Sequence, residues 1–119
     1  MKTRLLIGIL GLLIIASSCS KEEFPDRETL VGKWALKDGP SDAFIEFGMW
    51  RMTITNGNTQ EYHYSPLNST MYLYPNKYDD PDNFSTHSIY YNKKKDELRI
   101  WHILKEYGDS SGYTTFKKQ

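Results

Sequence analysis

The sequence predicts an all-β fold, a small antiparallel up-and-down barrel or half-open barrel, that follows an N-terminal signal helix. Nine Tyr, three Trp and five Phe make up 14% of the chain, and all of them lie after residue 23. Aromatic side chains favour pleated, half-buried surfaces. Short alternating segments follow one another with turn signals about every eight to twelve residues, which is typical of small barrels and sandwiches.

Eight segments alternate between apolar and polar side chains and are predicted to be strands: 30–37, 43–49, 50–54, 60–64, 70–74, 86–92, 98–104 and 113–117. The alternation of apolar residues changes phase between segments 43–49 and 50–54, so a bulge or tight turn is expected near Gly48. Asn56-Gly57 and Lys93-Lys94-Lys95 are predicted hairpin turns. Residues 75–83 are predicted to be a long loop, and residues 26–29 a single helical turn before the first strand.

The first residues have the order of a secretory signal peptide. Lys2 and Arg4 precede an apolar run of twelve residues, 5–16, and two serines then lead to the single cysteine, Cys19. A membrane-spanning helix needs about 20 apolar residues, so a cleaved signal is favoured over a permanent transmembrane anchor. Residues 1–18 are therefore predicted to be removed.

Ala16-Ser17-Ser18-Cys19 resembles the lipobox of bacterial lipoproteins, in which small residues precede an obligatory cysteine. The resemblance implies that Cys19 is lipidated with fatty acids such as palmitate and becomes the first mature residue. Two or three acyl chains hold a protein firmly to a membrane. Ser20-Lys21-Glu22-Glu23 is similar to an acidic export tag of surface lipoproteins in one phylum of Gram-negative anaerobes. That similarity implies a lipid-anchored protein of the outer membrane, exposed at the cell surface. The alternative is a plain secretory signal followed by a charged tether.

The composition limits the domain count and the partners. Removal of residues 1–18 from the 119-residue chain leaves 101 residues, enough for one domain. The polar residues 19–29 are predicted to be a tether, and residues 30–119 the β domain. The mature part carries 13 basic and 15 acidic residues, so no nucleic-acid partner is expected. Cys19 is the only cysteine, which excludes disulfides and a cysteine-ligated zinc site from the domain.

Leu30-Val31-Gly32-Lys33-Trp34 opens the β domain. Its Gly-x-Trp is similar to the first signature of the lipocalin and lipocalin-like families, and the series of hairpins extends the similarity over most of residues 30–117. The resemblance implies an up-and-down barrel in which Trp34 fills the closed end beneath a short helical turn. Some other small β-barrel or sandwich is the alternative.

Patterns that carry catalytic or metal chemistry are incomplete. Gly108–Gly112 matches Gly-x-Ser-x-Gly, but neither a helix nor a histidine follows, as a nucleophile elbow requires, so a hairpin loop is predicted. Residues 79–83 hold three aspartates and lack the glycine of a calcium loop. His63, His87 and His102 lie on three different predicted strands. No catalytic residue, metal or cofactor is predicted, and the chain is expected not to be an enzyme.

Five aromatic residues are predicted to form a ligand-binding surface: Trp50, Tyr62, Tyr64, Tyr72 and Tyr74. The tyrosines form two matched pairs on neighbouring strands, whereas Trp34 and Trp101 are assigned to the core. Aromatic rings offer stacking area together with a polar group. The predicted function is a surface-displayed, non-catalytic module that binds a small apolar molecule or a glycan. The alternative is a structural or protein-interaction lipoprotein, such as an inhibitor or an assembly accessory.

Overall fold

The computed structural model describes residues 22–119. The predicted signal peptide and lipidation site, residues 1–18 and Cys19, lie outside this range and stay predictions. The described strands are β1 (Glu22–Glu23), β2 (Gly32–Leu36), β3 (Ala43–Phe47), β4 (Arg51–Asn56), β5 (Asn58–Leu67), β6 (Thr70–Tyr74), β7 (Ser85–Asn92), β8 (Glu97–Trp101) and β9 (Tyr113–Lys118). A four-residue helix, α1 (Arg27–Leu30), precedes β2, and a 3-10 turn (Lys105–Tyr107) follows β8. In this part of the chain, no helix is long and apolar enough to cross a membrane.

Strands β2 to β9 form a closed antiparallel up-and-down barrel. Each strand pairs with the next one in the sequence, and β9 returns to pair with β2, with Trp34 opposite Lys118. The predicted all-β barrel is confirmed, and closure excludes the half-open form because none of these eight strands has a free edge. The short strand β1 extends the wall beside β7, with Glu22 opposite Asn92.

The predicted strands are present, with differences at their ends. The phase change near Gly48 is a turn between β3 and β4, in which the Gly48 amide donates to the Arg51 carbonyl at 2.7 Å. β5 is longer than the predicted segment 60–64. The prediction that the strand 98–104 continues to residue 104 is wrong. β8 stops at Trp101 because His102 has a left-handed backbone conformation, with φ of 57°.

Alternate residues of each strand point into the barrel and fill it. Trp34, Phe47, Tyr64 and Phe116 are the largest fully buried side chains, and each is at most 2% exposed. An eight-stranded barrel is just wide enough for side chains to fill its interior. These side chains belong to one hydrophobic core cluster, so the interior is a packed core. Smaller residues complete it: Ile45, Met52, Met71, Ile89, Leu98 and Ile100.

Helix α1 and Trp34 close one end of the barrel, here called the α1 end. This end also carries the turns 48–50, 68–69 and 93–96. The Asp26 carboxylate caps the helix by accepting from the Thr29 amide at 2.8 Å. The buried Trp34 indole N–H donates to the Leu30 carbonyl at 2.8 Å and joins the helix to the barrel floor. The expectation that Trp34 fills the closed end beneath a helical turn is confirmed.

Lys118 completes the floor at the α1 end. Its ammonium nitrogen lies 4.7 Å from the centre of the Trp34 ring and donates to the Val31 carbonyl at 2.5 Å. Gly32 has φ of 130°, and a Cβ atom there would lie 2.7 Å from the Lys118 nitrogen. The backbone angle therefore favours glycine at this position, and a Cβ atom would in addition displace the flexible end of Lys118.

The segment that joins β8 to β9 covers the opposite end, here called the far end. Leu104 is buried in the core, and Ile103 packs against it. The Thr114 hydroxyl donates to the Leu104 carbonyl at 3.0 Å and fixes the segment to β9. The Asn56 amide donates to the Glu106 carboxylate at 2.6 Å and fixes it to the β4–β5 hairpin. Both ends of the barrel are thus covered.

Replacement of Trp34 by alanine is expected to lower the free energy of unfolding by about 3–5 kcal/mol, because it leaves a cavity and an unpaired Leu30 carbonyl. The matched control is Trp50→Ala, whose side chain is 62% exposed. That control is expected to cost about 1 kcal/mol or less. Urea unfolding followed by circular dichroism measures both. Equal losses in the two variants contradict the role of Trp34.

Candidate functional site

The five aromatic residues predicted to bind a ligand lie in three different places. Tyr62 and Tyr64 point into the barrel, Tyr72 and Tyr74 lie on its outer wall, and Trp50 lies at the α1 end. The turn between β5 and β6 pairs Tyr64 with Leu73 and Tyr72 with Ser65. Since directly paired residues share a face, the two tyrosine pairs point to opposite sides of the sheet.

Tyr64 is a core residue. Its ring centre lies 5.0 Å from that of Phe47, and its hydroxyl donates to the Gly48 carbonyl at 2.6 Å. Burial raises the pKa of the Tyr64 hydroxyl, and the Arg27 guanidinium partly opposes this rise. The phenol is therefore neutral and serves the structure of the turn at Gly48.

Tyr62 lies half-buried at the far end of the barrel. Its hydroxyl donates to the Gln60 side chain at 2.7 Å. A shallow pocket of about 250 Å³ opens beside it, under Ile103 and Leu104. The pocket is lined by three amide side chains, three aliphatic side chains and the Tyr62 phenol, so it offers hydrogen-bonding groups beside an apolar surface.

The outer wall carries a cluster that we call the aromatic shelf, formed by Tyr72, Tyr74, Tyr78 and Phe84. The Tyr72 and Tyr74 rings are nearly parallel, with an interplanar angle of 11° and centres 6.4 Å apart. Phe84 lies 5.9 Å from Tyr72 and 6.1 Å from Tyr74, and Tyr78 lies 5.6 Å from Tyr74. The loop between β6 and β7 thus turns back and places two further rings beside the strand pair.

Polar side chains border the aromatic shelf. Ser65 and Thr86 are paired directly with Tyr72 on the two neighbouring strands, and His63 is paired with Tyr74. These residues share the outer face with the tyrosines. Burial, followed by the Asp79 carboxylate, raises the pKa of the Tyr74 hydroxyl. The shelf therefore combines phenols, hydroxyls and an imidazole around apolar rings.

Sequence reasoning missed Tyr78 and Phe84, although both are 47% exposed on the aromatic shelf. They lie in or next to the loop rich in aspartate and proline, where no periodic pattern assigns a side chain to a face. Two rings placed in an otherwise polar loop were the available signal. Of the five predicted residues, the structure brings only Tyr72 and Tyr74 together in the shelf.

The prediction that Trp101 belongs to the core is wrong. Leu98 and Ile100 point inward on β8, so the alternation places Trp101 outside, where it is 36% exposed. Its ring stacks on His102, with the ring centres 3.7 Å apart and an interplanar angle of 11°. A strand of period two cannot bury both Ile100 and Trp101 in the same core.

His87 is the histidine that points into the barrel. The Trp101 carbonyl accepts from Nδ1 at 2.8 Å, so Nδ1 carries the proton, and the Ser85 hydroxyl donates to Nε2 at 2.9 Å. Burial lowers the pKa of His87, which favours this neutral form. Within residues 22–119, no three His, Cys, Asp or Glu side chains come close enough to hold a metal ion.

The Gly-x-Ser-x-Gly segment is a turn, as predicted. The Asp109 carboxylate accepts from the Ser111 hydroxyl at 2.7 Å and from the Ser111 and Tyr113 amides at 2.9 and 3.1 Å. These bonds, first of all the one from the Ser111 hydroxyl, lower the pKa of Asp109. The carboxylate is occupied in shaping the turn.

Comparison of the chain with protein-family models, with curated proteins and with solved structures finds no match. The resemblances to lipoproteins and lipocalins therefore rest on the residues quoted for them.

The buried neutral His87 makes the stability of the barrel depend on pH. In the unfolded chain this histidine takes up a proton near its ordinary pKa of 6.5, whereas the folded state resists it. The contribution of neutral His87 to the free energy of unfolding is complete above pH 6.5. It is lost as the pH falls toward the lowered pKa of His87 in the folded state. We expect the unfolding free energy to decrease as the pH falls below 6.5. His87→Gln should flatten this decrease, and His63→Gln should keep it. An unchanged slope in His87→Gln contradicts the assignment.

Proposed function

We propose that this chain is a surface-displayed, non-catalytic binding lipoprotein of the outer membrane, held by acyl chains on Cys19, which recognises a glycan with the aromatic shelf. The observation that carries the proposal is that the barrel interior is packed and covered at both ends, while the shelf is presented outside. Recognition is therefore assigned to the outer wall of the barrel.

The geometry of the shelf supports a sugar as the ligand. The nearly parallel Tyr72 and Tyr74 rings support Phe84 and Tyr78, and these two rings are about half exposed. A sugar ring has one face of C–H groups and a rim of hydroxyls. Aromatic faces pack against the first, and the phenols, Ser65 and Thr86 can exchange hydrogen bonds with the second.

A small apolar ligand inside the barrel is less well supported. It would have to displace buried side chains such as Phe47 and Phe116, each of which contributes about 1.5–3 kcal/mol through its burial. Leu104 and the Asn56–Glu106 hydrogen bond also cover the far end. The packed interior stabilises the fold, which leaves the binding role to the surface.

The N-terminal end of the described chain agrees with anchoring through Cys19. β1 begins at Glu22, three residues after Cys19, and pairs with β7. Three residues span at most about 10 Å, so an anchor at Cys19 would hold the barrel close to the membrane. The aromatic shelf, near the ends of β6 and β7 that lie away from β1, would then face outward.

Native mass spectrometry of the protein purified from its own host tests both halves of the proposal. We expect a chain that begins at Cys19, carries the mass of a diacylglyceryl group and a further acyl chain, and retains a glycan. In the double variant Tyr78→Ala/Phe84→Ala, glycan retention should fall about tenfold, since two ring contacts contribute about 1.4 kcal/mol together. Tyr107→Ala, which removes another partly exposed far-end tyrosine, should retain the glycan.

The outcomes separate the alternatives. An unmodified Cys19 contradicts the anchor. Equal glycan retention in the double variant contradicts the shelf as the binding surface. Retention of a protein instead of a glycan, lost in the double variant, supports the protein-interaction function.

A further inference from the structure

We propose that the α1 end is a membrane-contact face, which rests on the lipid bilayer that holds the anchor. The proposal rests on the proposed lipidation of Cys19. Beyond the lipid anchor, the membrane-contact face gives the barrel a defined orientation and identifies residues that touch lipid. The occupant of this face is thus the headgroup region of the same membrane.

Large apolar side chains are exposed at the α1 end. Trp50 is 62% exposed, Leu67 59% and Met49 46%. Trp50 and Met49 lie in the β3–β4 turn, and Leu67 ends β5 at the next turn of the same end. Single exposed apolar residues are normal, but several at one end of a small domain mark an interaction surface.

The position of the anchor identifies the partner of this surface. Glu22 pairs with Asn92, the last residue of β7, so the chain leaves the barrel beside the 93–96 turn at the α1 end. At most about 10 Å of chain separates Cys19 from Glu22. The far end lies roughly 20 Å away along the strands, at about 3.3 Å per residue. The α1 end is therefore the part of the barrel that the anchor brings to the lipid.

Trp50 is held in place for such a contact. The Arg27 guanidinium lies 4.4 Å from the centre of its ring and donates to the Met49 carbonyl at 2.6 Å and to the Tyr64 carbonyl at 3.0 Å. Helix α1 thus fixes the β3–β4 turn and one face of the indole. Tryptophan is enriched at membrane–water interfaces because its ring is apolar and its N–H is polar.

The charges of the α1 end match a headgroup layer in part. The turn Lys93–Lys95 is exposed there, and each lysine contributes about 1 kcal/mol near an anionic surface. Glu23, Asp26, Glu28 and Asp96 lie at the same end and oppose this attraction. Two of these carboxylates have partners within the fold, since Asp26 caps α1 and Asp96 accepts from the Tyr91 hydroxyl at 2.9 Å. The contact is therefore mainly apolar, with a weak dependence on salt.

Quenching of tryptophan fluorescence by brominated lipid tests the face directly. The lipidated protein is reconstituted in vesicles of phosphatidylcholine and phosphatidylglycerol whose acyl chains carry bromine near the headgroup. We expect Trp50 emission to be quenched, and Trp50→Phe to lose most of the quenched emission. Trp101→Phe, the matched variant at the far end, should keep the quenched emission of Trp50. The third tryptophan, Trp34, is buried in the barrel.

A second variant keeps the fluorophore and disturbs the face. Leu67→Glu should reduce the quenching of Trp50, whereas Tyr107→Glu at the far end should not, with circular dichroism confirming that both fold. Equal quenching in Trp50→Phe and the parent, or no effect of Leu67→Glu, overturns the membrane-contact face. The mass of Cys19 in the same vesicle sample reports on the anchor separately. A lipid mass without Trp50 quenching leaves the anchor intact and removes only the face.

Discussion

The buried hydrogen bond from the Trp34 indole to the Leu30 carbonyl connects the core of the barrel with the surface of the α1 end. It fixes helix α1 to the floor of the barrel. The helix in turn carries Arg27, which contacts Trp50 and the carbonyls of Met49 and Tyr64. One side chain therefore closes the core and, through α1, sets the shape of the surface at the α1 end.

Because the barrel is closed and packed, its two ends and its outer wall are the parts open to partners. Exposed Trp50, Leu67 and Met49 lie at the α1 end, whereas the exposed rings of Tyr78 and Phe84 lie toward the far end. Aliphatic groups and tryptophan suit a lipid interface, and clustered rings with nearby hydroxyls suit a sugar. The proposed anchor and the proposed recognition surface thus lie at opposite ends of a rigid core.

Sequence periodicity was sufficient for the strands, whereas the closed barrel and the place of Trp34 in it were expected from the lipocalin-like Gly32-Lys33-Trp34. Alternation of period two and the turn signals at Gly48, Asn56-Gly57 and the lysine run identify the eight barrel strands, because these features act within one hairpin. The candidate site depends on the pairing register between neighbouring strands. The faces of Tyr64 and Tyr72 are set by the register across the β5–β6 turn, which neither strand specifies alone.

Other features depend on the folded chain as a whole. The left-handed conformation of His102 ends β8 early and sends Leu104 into the core, and an alternating pattern that continued past Trp101 gave no sign of it. Tyr78 and Phe84 reach the shelf only because the β6–β7 loop turns back over the outer wall. Loop side chains are placed by tertiary contacts, so periodicity contains no information about them.

Spin-label depth measurement tests whether the barrel stands on its α1 end with its far end away from the membrane. If Cys19 is acylated, an introduced cysteine is the only free thiol, so Lys94→Cys and Asp80→Cys can each be labelled with a nitroxide in the full lipidated protein. We expect the label at position 94 to lie at headgroup depth and the label at position 80 to lie in water, roughly 20 Å farther out. Equal depths, or a deeper label at position 80, would contradict this orientation.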